Sequence, residues 1–152
     1  MSAVVGSRAP EFTLRDQARA EISLGDYAGN KTLVVFIPFA LSGTCTGEMC
    51  EIRDNLSQLA ELDANVVVLT CDSEHANRTW AEKEGLEFRI LSDFWPHGET
   101  TKAYGVFNED RGCPNRATFV LDGDGIIRDI IATDSLGTPR DFARYTEALS
   151  AI

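Results

Sequence analysis

The chain reads as an α/β domain with a mixed central sheet flanked by helices, and three observations carry that reading. Thr32 to Phe39 (TLVVFIPF) and Asn65 to Cys71 (NVVVLTC) are continuous β-branched and aromatic runs, the composition of strands buried on both faces. Between them, Glu48 to Leu62 sets Met49, Ile52, Leu56, Leu59 and Leu62 at the intervals of an amphipathic helix. Late in the chain, Ala117 to Leu121 and Ile126 to Ile131 flank Asp122-Gly123-Asp124-Gly125, which signals an antiparallel hairpin.

In chain order, Phe12 to Leu14 and Ile22 to Leu24 flank a polar turn region and predict a small N-terminal β-hairpin. The first long strand, its helix and the second long strand form a unit expected to be parallel and right-handed. Asp72 or Ser73 can cap a second helix that runs to Glu84 and stops at Gly85, after which Leu86 to Leu91 (LEFRIL) reads as another short strand. Pro139 to Leu149 closes the chain as a helix, with Thr138 as N-cap and Pro139 in the first turn. This order suits a thioredoxin-like fold. A flavodoxin-like sheet is the alternative, and the late hairpin argues against its purely parallel arrangement. With no linker, repeat or low-complexity tract, residues 1–152 are expected to form a single domain.

Lys plus Arg number 14 against 24 Asp plus Glu, a net charge of −10. Such a surface repels phosphate backbones and anionic membranes, so no nucleic acid and no membrane partner is expected. Met1 to Pro10 lacks a basic segment followed by an apolar run, and no stretch approaches the roughly 20 apolar residues of a spanning helix. The expectation is a cytoplasmic protein. Cys45, Cys50, Cys71 and Cys113 include no Cys-x-x-Cys pair, and His75 and His97 stand apart without companion ligands, so no metal is expected. No phosphate-cradling glycine loop opens a helix, so no nucleotide cofactor is expected either.

The chemistry concentrates in Pro38-Phe39-Ala40-Leu41-Ser42-Gly43-Thr44-Cys45, which joins the first long strand to the first long helix. A cysteine at a helix start meets unpaired N–H groups and the positive end of the dipole, a setting that favours thiolate. Ser42 stands across a turn, where its hydroxyl can donate to the sulfur or to a substrate oxygen. Pro38, lacking an N–H, can end the strand. On the residues alone, a quietly packed thiol is as good a reading as a nucleophile. For Cys71, at the end of a buried strand, the reading is a small hydrophobe.

The spacing of Pro38, Ser42 and Cys45 resembles the Pro-x-x-x-Thr/Ser-x-x-Cys motif of peroxiredoxins. The resemblance covers nearly the whole chain. Ala9-Pro10-Glu11-Phe12-Thr13-Leu14, Leu91-Ser92-Asp93, Ala103-Tyr104-Gly105-Val106 and Arg116-Ala117-Thr118-Phe119-Val120-Leu121 look like further family segments in the family's order. Phe94-Trp95-Pro96-His97-Gly98 and Val106-Phe107-Asn108 are similar to the one-cysteine AhpE-type subgroup. The resemblance implies a cofactor-free thiol peroxidase that reduces hydrogen peroxide and organic hydroperoxides. It makes Cys45 the peroxidatic cysteine, with Arg116 contacting thiolate and peroxide. Glu48 matches a glutamate that orients an arginine, although a first-turn surface charge fits equally. Family members often pair as homodimers, and the Phe94-Trp95-Pro96 loop, read first as packing, is a candidate contact.

Cys50 follows Cys45 at the Cys-x4-Cys spacing that resembles the bacterioferritin-comigratory-protein (PrxQ) branch, where the second cysteine resolves the sulfenic acid as an intramolecular disulfide. Cα atoms five apart on a helix are about 8.6 Å apart, and disulfides rarely exceed about 6.8 Å. The pairing therefore requires the helix start to open. Cys113, expected in a loop, is a second candidate resolver or a bystander. Thioredoxin suits a Cys45–Cys50 disulfide, whereas a low-molecular-weight thiol with a glutaredoxin- or mycoredoxin-like protein suits one-cysteine chemistry. A non-enzymatic redox sensor or holdase that uses Cys45 only as a switch is the competing class. A thioredoxin-like disulfide reductase would need the missing Cys-x-x-Cys.

Overall fold

The computed structural model describes residues 3–152; Met1 and Ser2, the start of the Met1–Pro10 segment read above, lie outside the described residues. Nine strands and five α-helices follow in the order β1 (Thr13–Arg15), β2 (Glu21–Ser23), β3 (Lys31–Phe36), α1 (Gly43–Asp54), α2 (Leu56–Glu61), β4 (Ala64–Thr70), α3 (Glu74–Glu84), β5 (Arg89–Ser92), α4 (Glu99–Ala103), β6 (Phe107–Asn108), β7 (Cys113–Pro114), β8 (Ala117–Leu121), β9 (Ile127–Ala132) and α5 (Ala143–Ser150). Seven strands form one sheet in the order β2-β1-β5-β4-β3-β8-β9, and β6 pairs with β7 beside it.

The sheet is mixed, as the sequence predicts. β3 lies parallel to β4 and β4 to β5, whereas β8 pairs antiparallel with both β3 and β9. Strand β3 explains why its run is apolar throughout: Leu33, Val35 and Ile37 face one buried cluster with Met49, Ile52, Trp80 and Leu149, while Val34 and Phe36 face another with Phe12, Tyr104 and Phe119. Helices α1, α2, α3 and α5 cover the first face. The aromatic rings of Phe36, Tyr104 and Phe119 interlock on the second, with centroids 5.0–5.8 Å apart.

Several boundaries differ from the sequence reading. One continuous helix from Glu48 to Leu62 is replaced by α1, which begins at Gly43, and α2, with a break at Asn55 (φ −117°, ψ 19°). The third parallel strand is Arg89–Ser92 rather than 86–91. Helix α5 begins at Ala143, not Pro139, and its N-cap is Phe142 rather than Thr138. Ser73 does cap α3, accepting from the Ala76 N–H at 3.2 Å, and Gly85 ends it in the left-handed conformation (φ 67°).

Candidate active site

Strand β3 ends one peptide short of Pro38. The Ile37 N–H still donates to Leu69 O at 3.1 Å, and Pro38, buried and without an N–H, turns the chain out of the sheet. Two features hold the turn that follows. The Ala40 N–H donates to Asp72 Oδ2 at 2.7 Å. Leu41 sits at φ +70°, a conformation that costs a non-glycine residue roughly 1–2 kcal/mol. Ser42 is then the extended N-cap of α1: its carbonyl accepts the Thr46 N–H at 2.9 Å, and its side chain makes no capping bond. Cys45 lies in the first helical turn, with a relative exposure of 0%.

Arg116, immediately before β8, reaches this sulfur. Its Nη2 lies 3.2 Å from Cys45 Sγ, its Nη1 donates to Glu48 Oε1 at 2.6 Å, and its Nε donates to Leu136 O at 2.6 Å. Glu48, one turn beyond Cys45, also accepts three bonds from Arg140: the backbone N–H at 2.7 Å, Nε at 3.0 Å and Nη2 at 2.8 Å. Arg140 Nη1 continues to Phe36 O at 2.7 Å and Thr118 Oγ1 at 3.2 Å. All three side chains are almost fully buried. Burial alone would raise the Glu48 carboxyl, but the hydrogen bonds and charge of Arg140, with the charge of Arg116, hold it below its ordinary value of 4.5. Two guanidinium groups and one carboxylate leave one unbalanced positive charge, and Arg116 directs it at the sulfur.

The structure thus gathers Pro38, Ser42, Cys45 and Arg116 at the β3–α1 junction, with Glu48 as a buried ion-pair partner rather than a surface charge. Arg140 was not visible from sequence: it lies in the segment read as the opening turn of the last helix, and its partners are distant in the chain. Cys50 lies further along α1, half-buried, with its sulfur 3.8 Å from Glu84 Oε1; desolvation, then the charges of Glu84 and Asp54, raise its thiol despite the opposing charge of Arg53. Burial pushes Cys71 up to about 12. Cys113 is fully buried in β7 rather than in a loop, and burial raises it too. All four cysteines are free thiols. Trp80 is a core residue as expected, but Phe94 and Trp95 are 50% and 83% exposed and do not pack into the core. Among the described residues, no three His, Cys, Asp or Glu side chains converge as a metal site, and no helix is long and apolar enough to cross a membrane.

Fold and site together define a thiol enzyme of the thioredoxin-like class. Residues 5–130 match the AhpC/TSA family, and the chain belongs to that family. It is a peroxiredoxin, a thiol-dependent peroxidase. It is 43% identical to alkyl hydroperoxide reductase E of Mycobacterium tuberculosis over 149 residues, 97% of each chain. It is 32% identical to peroxiredoxin Bcp of Escherichia coli over 131 residues, 82% of this chain and 83% of that one. The crystal structure of peroxidoxin BcpB from M. tuberculosis superposes with a TM-score of 0.87 at 27% identity, covering 99% of this chain and 98% of that one.

Proposed function

We propose that Cys45 is the peroxide-reactive nucleophile of this enzyme and that Cys50 closes its cycle through an intramolecular disulfide. The observation that carries the first half is Arg116 Nη2 at 3.2 Å from Cys45 Sγ, within a cluster holding one unbalanced positive charge. A cation there favours thiolate, and the same guanidinium can polarise the oxygen that departs. Ser42, whose hydroxyl is not committed to capping, and the Cys45 backbone N–H are the further donors; Pro38 shapes the loop that aims them. In the reaction, thiolate attacks one oxygen of R–O–O–H. The S–O bond forms as the O–O bond breaks, and the departing oxygen takes the electron pair and a proton to leave as alcohol, or as water from hydrogen peroxide. Cys45 becomes a sulfenic acid. The substrates are hydrogen peroxide and organic hydroperoxides.

In the second step, Cys50 Sγ attacks Cys45 Sγ, the S–O bond breaks, and hydroxide leaves with the thiol proton as water. Support for Cys50 is its position on the same helix and its partial exposure, in contrast to Cys71 and Cys113, which are buried. A thioredoxin then reduces the disulfide. One observation favours a second reading: α1 is continuous from Gly43 to Asp54 and keeps the two cysteines apart. On that reading Cys45 works alone, recycled by a low-molecular-weight thiol and a glutaredoxin- or mycoredoxin-like protein. The enzyme acts as a single cytoplasmic domain that pairs as a homodimer, with exposed Phe94 and Trp95 in the contact.

Intact mass after one equivalent of hydrogen peroxide separates these readings in wild type, Cys45→Ser and Cys50→Ser. The expected results are loss of two hydrogen atoms in wild type, a trapped sulfenic acid in Cys50→Ser and no reaction in Cys45→Ser. A sulfenic acid that persists in wild type removes Cys50 as resolver. A reactive Cys45→Ser variant removes the whole proposal.

A further inference from the structure

Each nitrogen of the Arg116 guanidinium has a different partner: Nη2 lies 3.2 Å from Cys45 Sγ, Nη1 donates to Glu48 Oε1 at 2.6 Å, and Nε donates to Leu136 O at 2.6 Å. The group is planar, so two anchors besides the sulfur fix its orientation, whereas one alone lets it swing about that bond. Glu48 is a rigid anchor, buried and held in turn by Arg140. Leu136 is an anchor of another kind. It lies in the irregular segment 133–142 between β9 and α5, and its half-buried side chain joins neither apolar cluster among the described residues. Its carbonyl is placed by the hydrogen bonds of the loop, not by packing.

Those bonds start at the arginine itself. The Thr133 N–H donates to Arg116 O at 3.2 Å, which ties the base of the loop to the residue that its tip contacts. The Thr133 hydroxyl closes the loop: its oxygen lies 2.7 Å from Thr138 O, the nearer acceptor for its one proton, and 3.2 Å from Ser135 O. Within that closure the Thr138 N–H donates to Ser135 O and the Gly137 N–H to Ser135 Oγ, both at 3.1 Å, with Leu136 in the middle of the turn. Ser135, Gly137 and Thr138 are exposed, and a cleft of about 310 Å³ lined in part by Arg116, Thr133, Ser135 and Leu136 runs alongside. Water competes for each bond there, and backbone held by exposed hydrogen bonds alone opens locally at low cost.

We propose that Thr133 is a positioning residue for the peroxidase reaction: its hydroxyl holds the 133–138 loop closed, and the closed loop keeps Leu136 O against Arg116 Nε. With the hydroxyl removed, water satisfies the exposed Thr138 carbonyl, so no buried group is left unpaired, but the Leu136 peptide is free to turn away. Arg116 then keeps Glu48 as its one anchor and swings about Nη1, which takes Nη2 off the line it needs toward the departing oxygen. The charge beside the sulfur remains, because the guanidinium stays protonated wherever it points. The consequence for turnover rests on the reading of Cys45 as the nucleophile; the contact between loop and arginine does not.

The test compares wild type with Thr133→Val, Thr133→Ser and Ser135→Ala. Valine keeps the shape and β-branching without the donor, serine restores it, and Ser135→Ala loosens the same turn from its exposed side. In the reduced proteins, the Arg116 Nε–H signal in proton–nitrogen NMR spectra is assigned as the one absent from Arg116→Lys. Its exchange with water is expected to accelerate about three- to tenfold in Thr133→Val and about two- to threefold in Ser135→Ala, and to keep the wild-type rate in Thr133→Ser. Oxidation of Cys45 by hydrogen peroxide should slow by the same factors in the same variants. Alkylation of Cys45 by iodoacetamide, which needs the thiolate but no departing oxygen, should stay within about twofold of wild type throughout.

A wild-type Nε–H exchange rate in Thr133→Val and Ser135→Ala overturns the proposal, because a merely structural threonine would cost unfolding stability and leave that signal alone. Faster exchange with unchanged oxidation overturns the positioning role. Oxidation and alkylation that slow together overturn it as well, since that marks a loss of thiolate or of access and not of aim. Faster exchange with a selective loss of peroxide reactivity, restored by serine, supports it. If Cys45→Ser still consumes peroxide, the reading of Cys45 fails, and the Nε–H exchange alone decides whether Thr133 holds Arg116.

Discussion

Arg140 holds Glu48 from two sides, through its backbone N–H at 2.7 Å and through the paired guanidinium nitrogens Nε and Nη2 at 3.0 and 2.8 Å. The carboxylate is fixed in plane and in distance, and the Oε1 atom that Arg116 uses is held in place. A lysine at position 140 keeps the charge and loses the planar fork. Arg140→Lys is therefore expected to slow Cys45 oxidation by about 10- to 100-fold, the worth of one misaligned charge-assisted hydrogen bond. Stopped-flow oxidation by hydrogen peroxide measures it, and a wild-type rate would remove Arg140 from the alignment of Arg116.

Glu48 also ties stability to pH. Its folded-state carboxyl titrates below the ordinary 4.5, because the bonds and charge of Arg140 and the charge of Arg116 outweigh burial. Its stabilising contribution is therefore complete above 4.5 and is lost as pH falls through the lower folded value. Glu48→Gln leaves two buried guanidinium groups without a counter-charge, and at neutral pH it should cost about 3–5 kcal/mol in urea unfolding. That deficit should narrow in acid, where wild type loses the same charge; a constant deficit across the acid range would contradict the assignment.

The thiol of Cys50 is raised above its ordinary 9.0 by desolvation, with Glu84 and Asp54 adding to the effect. Thiolate is the attacking form, so disulfide formation should climb with pH and should still be rising at pH 9.0, where an unperturbed thiol would be half ionised. Glu84→Gln removes a raising charge and should speed the step at neutral pH. Rapid-quench mass analysis across the pH range checks both statements. A profile that levels off well below 9.0 would assign the attacking sulfur elsewhere.

Trp95 exposes 83% of its surface and Phe94 50%. Neighbouring aromatic side chains left this open are what a protein contact would cover. On the proposed pairing through this loop, wild type should sediment as a dimer and Trp95→Ala should shift toward monomer, with little change in the unfolding of the isolated chain. An unchanged sedimentation coefficient would remove Phe94 and Trp95 as the contact.

Features set by neighbours in sequence were legible before the fold was known. The apolar runs of β3 and β4, the Gly-rich turn before β9, and Ser73 with Gly85 at the ends of α3 each carry their own local signal. So does the Pro38–Cys45 junction, because strand end, turn and helix start are contiguous. Elements of two to five residues, such as β6, β7 and α4, are too short to show a period. The start of α5 was misread for a tertiary reason. Thr138 and Pro139 look like a helix start, but the Arg140 backbone N–H is engaged by Glu48, 92 residues earlier, and its side chain by Phe36, 104 residues earlier. A bond over that span leaves no mark on the adjacent sequence, and for the same reason Arg140 was invisible as part of the site.

The deep burial of Cys71 and Cys113 acts on covalent connectivity. Four cysteines allow several pairings, and each oxidation carries the risk of scrambling into an isomer that no reductant recognises. With both Cys71 and Cys113 buried, and Cys71 pushed up to about 12, two sulfurs are withdrawn from exchange. On the proposed cycle the combinatorial problem shrinks to the single Cys45–Cys50 bridge, so each turnover would return the chain to the same topology.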